Sequence, residues 1–590
     1  MLGGENQSVT PTARDDARRV SLGEVLAVAV VAVALSIAMH WPLVLHLGTD
    51  FPKDLGDPLP QAWQVAWGGH SLGSGVADYF QSNQFWPLRD TLAFSDALIG
   101  YAPAGLIGDG PTAAIVRYNV LFFFAYALSF VGAYLLCREL GISRTAALVG
   151  AAAFAYAPWR LAQDAHLHVL SSGPIPLALY FLLRGWRLCR PWMTLSAFAI
   201  VAWALAIGFS IGLLLAYAIG VVGIVALVAW NRLGRPSLDR RMVVATGIGL
   251  AMLAGTAFLL TRPYLRVVSA LPEAKRDAAA VNKYGEGPWI FLAGPAEGTV
   301  WGPLTSPVRD HLGFVPEQTL FPGLAIAALA FLGARARSPF SRPLRRGLVA
   351  TIAILMVLSL GFRPGPILQW LPYRFVYEFA PGFSAIRVPE RLMVLTTLLL
   401  AVLAGAGAHG LLAAARSRRG WSLRAPRLAA ILPAVLLGAV LLDGAGFGIA
   451  EKGQVLAGYA HPTAPVRPKA LDGIPGPQLH LPASDQDNRV YLLWSTAGFP
   501  KMMNGKSSVT PRLFLMTVAS ATSPPDRDFV AELRRLGVRS VVVHLRRVKG
   551  TAWEDWATGP ADNLGMTREV RDDLVVYYIN ADSSVVTPSP

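Results

Sequence analysis

Apolar residues in this chain fall in long, nearly unbroken runs separated by short polar blocks rich in arginine. A membrane-spanning helix needs about 20 mainly apolar residues, and the first run, Leu22 to Trp41, has that length. Arg14, Arg18 and Arg19 precede it and no small-residue cleavage motif follows, so it reads as an uncleaved helix entered from the cytoplasm. Further runs cover Thr112–Leu136, Thr145–Ala157, Val169–Leu183, Met193–Gly208, Ile211–Trp230, Met242–Leu260, Leu320–Leu332, Leu348–Leu360, Leu392–Leu412 and Leu428–Phe447. The stretch from Met193 to Trp230 exceeds one span and is split at Gly208-Phe209-Ser210. The pattern predicts a polytopic α-helical membrane protein of about eleven spans.

The charges between the runs set an orientation. Alternation from a cytoplasmic N-terminus places these groups inside: Arg138 and Arg144; Arg184, Arg187 and Arg190; Arg232, Arg235, Arg240 and Arg241. Arg335, Arg337, Arg342, Arg345 and Arg346 fall on the same side, as do Arg416, Arg418, Arg419, Arg424 and Arg427. Short basic loops collect in the cytoplasm, so the expected location is the plasma membrane, with the C-terminal region outside. The expected organisation is a cytoplasmic tail over 1–20, a transmembrane domain over 21–449 with outer loops at 42–111 and 262–318, and an extracytoplasmic α/β domain over 450–590.

The first outer loop carries Leu59, Ala62, Trp63, Ala66, Trp67 and His70 at helical spacing, which predicts a helix lying at the membrane interface. Ser95–Ile107 is expected to form a second, re-entrant helix. In the tail, Arg489–Trp494 reads as a strand and Pro525–Leu536 as a helix closed by Gly537. Val538–His544 reads as a β-branched strand, and Met566–Arg571 with Leu574–Ile579 as a hairpin. Roughly 130 residues suffice for a modest core.

Composition narrows the function. Hydrophobic residues make up 53% and charged residues 15%, against roughly 25% charged in soluble domains, which excludes a disordered chain, a coiled coil and an ordinary cytosolic enzyme. The net charge of +15 is spread between apolar runs rather than over a soluble face, so nucleic acid is not an expected partner. Two cysteines, Cys137 and Cys189, are too few for a disulfide framework. No Gly-rich phosphate loop, His-Glu-x-x-His or Gly-x-Ser-x-Gly is present. Asn504-Gly505-Lys506-Ser507 lacks the first glycine of a P-loop and reads as a turn.

Three clusters can carry chemistry. Asp50, Asp54 and Asp57 follow the first span, with Asp96 further along the same loop. A carboxylate there can take a proton from an attacking hydroxyl or hold a divalent cation through its oxygens; Asp57 before Pro58 equally has the form of a helix cap, and Asp96 that of a cap for its short helix. Arg160, His166 and His168 form the second cluster; two histidines at i, i+2 on a helix diverge, so they suit a phosphate or sugar hydroxyl better than zinc. Arg387, in Phe383-Ser384-Ala385-Ile386-Arg387-Val388-Pro389-Glu390-Arg391, is a basic group on the outer side, against the charge bias. It can clamp a lipid phosphate or pair with Glu390.

In order and topology these segments resemble bacterial integral-membrane glycosyltransferases of the GT-C superfamily. The pieces that carry the resemblance are Gly56-Asp57-Pro58 with Trp63 and Trp67, Tyr156-Ala157-Pro158-Trp159-Arg160 leading to His166, and Pro381 to Arg391. The tail pieces Asn504 to Ser508 and Leu536 to His544 resemble YfhO-type membrane proteins. The resemblance implies transfer of a sugar, hexose or pentose, from a polyprenyl-phosphate donor to a glycan, lipid or protein acceptor outside the membrane. It implies Asp57 as base with Asp54 as runner-up, and Asp96 matches a second acid loosely; the two basic clusters then supply Arg387, Arg160, His166 and His168 as phosphate or donor ligands. The chain departs from many relatives in lacking an adjacent acidic pair, which leaves the base and any dependence on a divalent metal open. The alternatives are a transporter or flippase, whose paired broken helices in two related halves are not evident, and a non-catalytic envelope-assembly factor.

Overall fold

The computed structural model describes residues 18–228, 239–336, 339–365, 368–417, 426–447, 449–451, 454–457, 461–561 and 564–580. The apolar runs are helical: α1 (Leu22–Met39), α3 (Gly110–Glu139), α4 (Arg144–Ala155), α5 (Pro174–Arg187), α6 (Pro191–Ile207), α7 (Phe209–Val228) and α8 (Arg240–Ala270). They continue as α9 (Leu324–Arg335), α10 (Arg342–Ser359), α11 (Met393–Ser417) and α12 (Pro426–Asp443). Gly208 separates α6 from α7, as the sequence suggests. Among the described residues, 6 helices are long and apolar enough to cross a membrane by length and composition, and Pro191–Ile207, Leu324–Arg335 and Ile431–Asp443 are shorter apolar helices. The positions of Arg14, Arg232, Arg235, Arg337, Arg418, Arg419 and Arg424 lie outside the described residues.

By packing, the chain divides into two units. The first comprises residues 1–46, 120–259 and 276–461. Its helices meet through small residues: a methyl on Gly407 would lie 3.0 Å from the Gly333 amide nitrogen, and one on Gly150 would lie 3.4 Å from the Gly405 Cα. Such close backbone approach is how helices associate where lipid offers no hydrophobic drive. Two carboxylates tie the helix ends: Glu24 accepts from Tyr134 (2.7 Å), Arg138 (2.9 Å) and Arg144 (2.9 Å). Glu139 accepts from Arg184 (3.0 Å) and Arg187 (2.5 Å). The arginines that follow the charge bias thus also gather the start of α1, the end of α3, the start of α4 and the end of α5. A two-stranded hairpin, β1 (Ile449–Glu451) and β2 (Gln454–Ala457), belongs to this unit.

The second unit comprises residues 47–119, 260–275 and 462–590, so the first outer loop groups with the tail rather than with the helices that flank it. Its sheet runs in the order β3 (Gln478–Leu481), β4 (Ser540–His544), β6 (Leu574–Ile579), β5 (Met566–Arg571). β3 pairs parallel with β4, and the other pairings are antiparallel. Arg489–Trp494 is not a strand. It lies in helix α13 (Asp485–Ser495), whose N-cap Ser484 accepts from the Asp487 amide and whose first turn holds Asp485 and Asp487. That acidic start favours the helix over the weak local alternation. Helices α14 (Arg512–Ser520) and α15 (Arg527–Arg535) follow, the latter capped by Asp526, and Gly537 (φ 75°) takes up the left-handed turn after it.

One core runs through this unit. Phe85 and Phe94 from the loop and Val267 from the end of α8 pack with Leu479, Val541, Tyr577 and Trp556 from the tail. The loop helix α2 (Pro58–Ser74) does not lie open on a surface. Trp63 is fully buried and donates to Asn83 Oδ1 (2.9 Å), and Trp67 donates to the Tyr79 carbonyl (2.9 Å). Both rings therefore pack within protein rather than anchoring an interface. The segment expected to be a re-entrant helix is a 3-10 turn, Ile99–Leu106. It presses so close that a methyl on Gly68 would sit 2.8 Å from the Ala102 side chain.

Candidate functional site

Asp50, Asp54, Asp57 and Asp96 all belong to the second unit. Asp50 is fixed twice: its backbone bridges Thr463, and its carboxylate accepts from the Thr463 hydroxyl (2.9 Å). Asn119 donates to the carbonyls of Leu47 (2.9 Å) and Asp50 (2.8 Å), which ties the loop to the start of α3. The Asp54 carboxylate accepts from the Gly56 amide (2.7 Å), an Asx-type turn that follows Lys53 with φ 68°. Asp57 begins α2 in helical conformation (φ −66°, ψ −24°), with Pro58 behind it. A capping side chain needs an extended backbone at that residue to reach the free amides, and the Asp57 carboxylate caps none. The choice between cap and chemistry therefore does not fall on capping. Asp96 does not cap the 3-10 turn either; Leu98 holds that place, and the Asp96 carbonyl accepts from Gln64 (2.8 Å).

Arg160, His166, His168 and Arg387 belong to the first unit. Arg160 is 1% exposed and its guanidinium is engaged with Ser172 (2.7 Å), Ser129 (3.4 Å) and the Leu170 carbonyl (3.0 Å). It also lies over the Tyr126 ring, 5.1 Å from the centroid. Beside it the Tyr126 hydroxyl donates to Asp164, and His40 Nε2 stands 3.7 Å from the same carboxylate while Nδ1 meets the Ser36 carbonyl at 2.8 Å. The crevice between His40, Tyr126, Tyr156 and Arg160 is too tight for a water molecule. These residues form a sealed polar network that binds α1, α3 and the short helix Trp159–Ala162 together.

The two histidines do not diverge. His166 precedes the short helix Leu167–Leu170 in a non-helical conformation, which brings its ring to 5.9 Å from that of His168. Gly208, at the break between α6 and α7, leaves room for His168: a methyl there would meet its Cβ at 3.1 Å. His166 contacts Gln163 (2.9 Å), Gln163 donates to Glu317 (3.1 Å), and Arg391 donates to the other Glu317 oxygen (3.0 Å). Burial works to raise the Glu317 carboxyl, but Arg391 and His166 outweigh it and hold it below the usual carboxylate range. Glu317 escapes a sequence reading because it lies in a Gly- and Pro-rich segment without periodicity. Glu390 is 1% exposed, and neither of its carboxylate oxygens makes a hydrogen bond, so it is not the partner of Arg387. Arg387 is half-buried and stands over Tyr284, 5.9 Å from the ring centroid. Among the described residues no three His, Cys, Asp or Glu side chains converge to hold a metal ion.

No family model matches this sequence, and no curated protein does. Among solved structures the chain is similar to the single-particle cryo-EM structure of a mutant of arabinofuranosyltransferase AftD from mycobacteria. The TM-score is 0.54 at 15% sequence identity, over 96% of this chain and 42% of that one. The chain thus spans about two fifths of the length of that protein. The likeness shows a shared fold, and it accords with the 6 described helices that are long and apolar enough to cross a membrane.

Proposed function

We propose that the chain is a membrane glycosyltransferase that moves a sugar from a polyprenyl-phosphate donor to an acceptor hydroxyl of the cell envelope, outside the plasma membrane. The observation that carries this reading is the likeness over 96% of the chain to an arabinofuranosyltransferase. The acceptor oxygen attacks the anomeric carbon, the bond from that carbon to the phosphate oxygen breaks, and the lipid phosphate departs. Asp57 takes the acceptor proton, a role suited to a carboxylate set at a helix start but not used to cap it. Asp54, three residues earlier in the same loop and held in its turn by the Gly56 amide, is second to it. Arg387 balances the charge that develops on the phosphate. His166 and His168 remain candidates for the donor, whereas Arg160 is engaged by Ser172, Ser129 and the Leu170 carbonyl and packs over the Tyr126 ring. The sugar, pentose or hexose, and the acceptor, whether glycan, lipid or protein, follow from the assay.

The test is transfer from labelled polyprenyl-phosphate sugars to an acceptor panel by purified protein and by Asp57→Asn. Asn keeps the shape of the helix start, and loss of a general base costs about 10²–10⁴-fold in rate. Near-normal turnover by Asp57→Asn with loss in Asp54→Asn would move the base to Asp54. Activity in both variants would favour a transporter or an assembly factor.

A further inference from the structure

We infer that Lys283, Tyr284 and Arg387 form one binding site for a phosphate carried on a lipid, with Lys283 and Tyr284 as recognition residues beside Arg387. This rests on the glycosyltransferase reading for its biological ligand but not for its chemistry. The Lys283 ammonium stands 5.6 Å from the Tyr284 ring centroid and 4.9 Å from that of Phe314, and the Arg387 guanidinium 5.9 Å from the Tyr284 centroid. Two cations therefore share one aromatic platform. Among the described residues neither forms an ion pair, and the Tyr284 hydroxyl makes no hydrogen bond.

Glu286, Glu317 and Glu390 do not answer this charge. Glu286 is held by Arg363 (2.7 Å) and Glu317 by Arg391 (3.0 Å), while Glu390 is sealed in the interior. Lys283 is exposed and Arg387 half-buried, so an anion arriving from outside can meet both. The platform is also built in advance. The buried Gln318 donates to the Tyr284 carbonyl (2.7 Å) and accepts from the Phe314 amide (2.7 Å), which fixes both ring-bearing segments. Tyr284 and Phe314 meet edge to face at 5.0 Å. A guanidinium fork, an ammonium and a phenol supply donors that match the oxygens of a phosphate, and Arg387 precedes the membrane-length stretch Pro389–Arg416.

The full chain in phosphatidylcholine nanodiscs is titrated by intrinsic fluorescence in three arms: undecaprenyl phosphate, phosphatidylglycerol, and inorganic phosphate. Saturable binding that weakens about tenfold in Lys283→Met and again in Arg387→Met is expected, since hydrogen bonds to charged groups differ from neutral ones by that order. Tyr284→Phe keeps the platform and should weaken binding less. Arg387→Lys keeps the charge and guards against a folding defect; it should bind more weakly than the native chain through loss of the fork. The arm that binds identifies the source of the phosphate. Absence of binding in every arm, or equal binding by the native chain and the folded double variant, overturns the site. Asp57→Asn should bind as the native chain does. Retained binding with no transfer leaves the site standing without the transferase reading, and transfer with unchanged KM in the double variant does the reverse.

Discussion

Removing the first outer loop should unfold the tail. The second unit takes 47–119 and 260–275 as well as 462–590, and Phe85 and Phe94 from the loop are each 1% exposed in its core. Burying a Phe side chain stabilises by about 1.5–3 kcal/mol, so an isolated tail forfeits about 3–6 kcal/mol from these two rings. It also loses hydrogen bonds from Phe85 to Asn504 (3.3 Å), Trp86 to Met502 (2.9 Å), Met502 to Asn83 (2.8 Å), Asn83 to Pro500 (2.9 Å) and Trp86 to Leu536 (2.8 Å). Each is worth about 0.5–1.5 kcal/mol net. Together these losses approach the about 5–15 kcal/mol that a whole domain possesses. A fragment spanning residues 462–580 should therefore lack near-ultraviolet circular dichroism and a cooperative urea transition. The same fragment joined through a Gly/Ser linker to residues 47–109 should recover both. If 462–580 alone unfolds in one transition with the midpoint of the joined protein, the shared core is wrong and the tail is autonomous.

The second unit should also lose stability in acid. His480 and His544 are buried, with Nδ1 of one 3.0 Å from Nε2 of the other, and Tyr491 stacks on both rings. Burial pushes the His480 imidazole down to about 3 and the His544 imidazole well below its ordinary range. Unfolded histidine takes up a proton below about pH 6.5, while the folded rings stay neutral, so stability is unaffected above that pH. It falls between about pH 6.5 and 3 by up to about 1.4 kcal/mol per pH unit for each ring. Thermal melts at pH 7.5, 6 and 5 should show the decline, and His480→Gln should flatten it; an equal slope in the variant would exclude the pair as its source. In the first unit, Gly407→Val forces a side chain against the Leu329 carbonyl and the Gly333 amide of α9. Overpacking of this kind costs about 1–3 kcal/mol, so a clear drop in the midpoint of detergent-solubilised protein is expected, whereas Gly438→Val, with open space around it, should leave the midpoint in place.

The helices were legible because each requirement was local: apolar length, arginine blocks and the Gly208 break are all written within their own segments. The hairpin Met566–Arg571 and Leu574–Ile579 and helix α15 were legible for the same reason, through turn residues and an amphipathic face. What the sequence could not disclose was who covers whom. Ser540–His544 is buried on both faces, and nothing in Val541-Val542-Val543 says that Phe85 and Phe94, far upstream, lie in the core that it joins. Trp63 and Trp67 misled in the same way, because an aromatic stripe fits an interface and a packed core equally well until its indole partners, Asn83 and Tyr79, are known.

The candidate chemistry was legible as residue types and not as partnerships. Arg160, chosen as a donor ligand, is the case where physics separates the two: a guanidinium at 1% exposure with three oxygen partners is held by the fold and has little left to offer a phosphate. Arg387 is the opposite case. It is only half-buried, makes no ion pair among the described residues, and shares an aromatic ring with a second cation. Both residues read alike in the sequence, as arginines on the outer side of an apolar span. The difference lies in the convergence of Ser129, Ser172 and Leu170 on one, whereas Glu286 and Glu317 pair with other arginines and Glu390 is sealed away from the other. In a chain whose acids number 37 against 52 basic residues, an unanswered cation on a prepared platform is a stronger pointer to an anionic ligand than any arginine chosen by position alone.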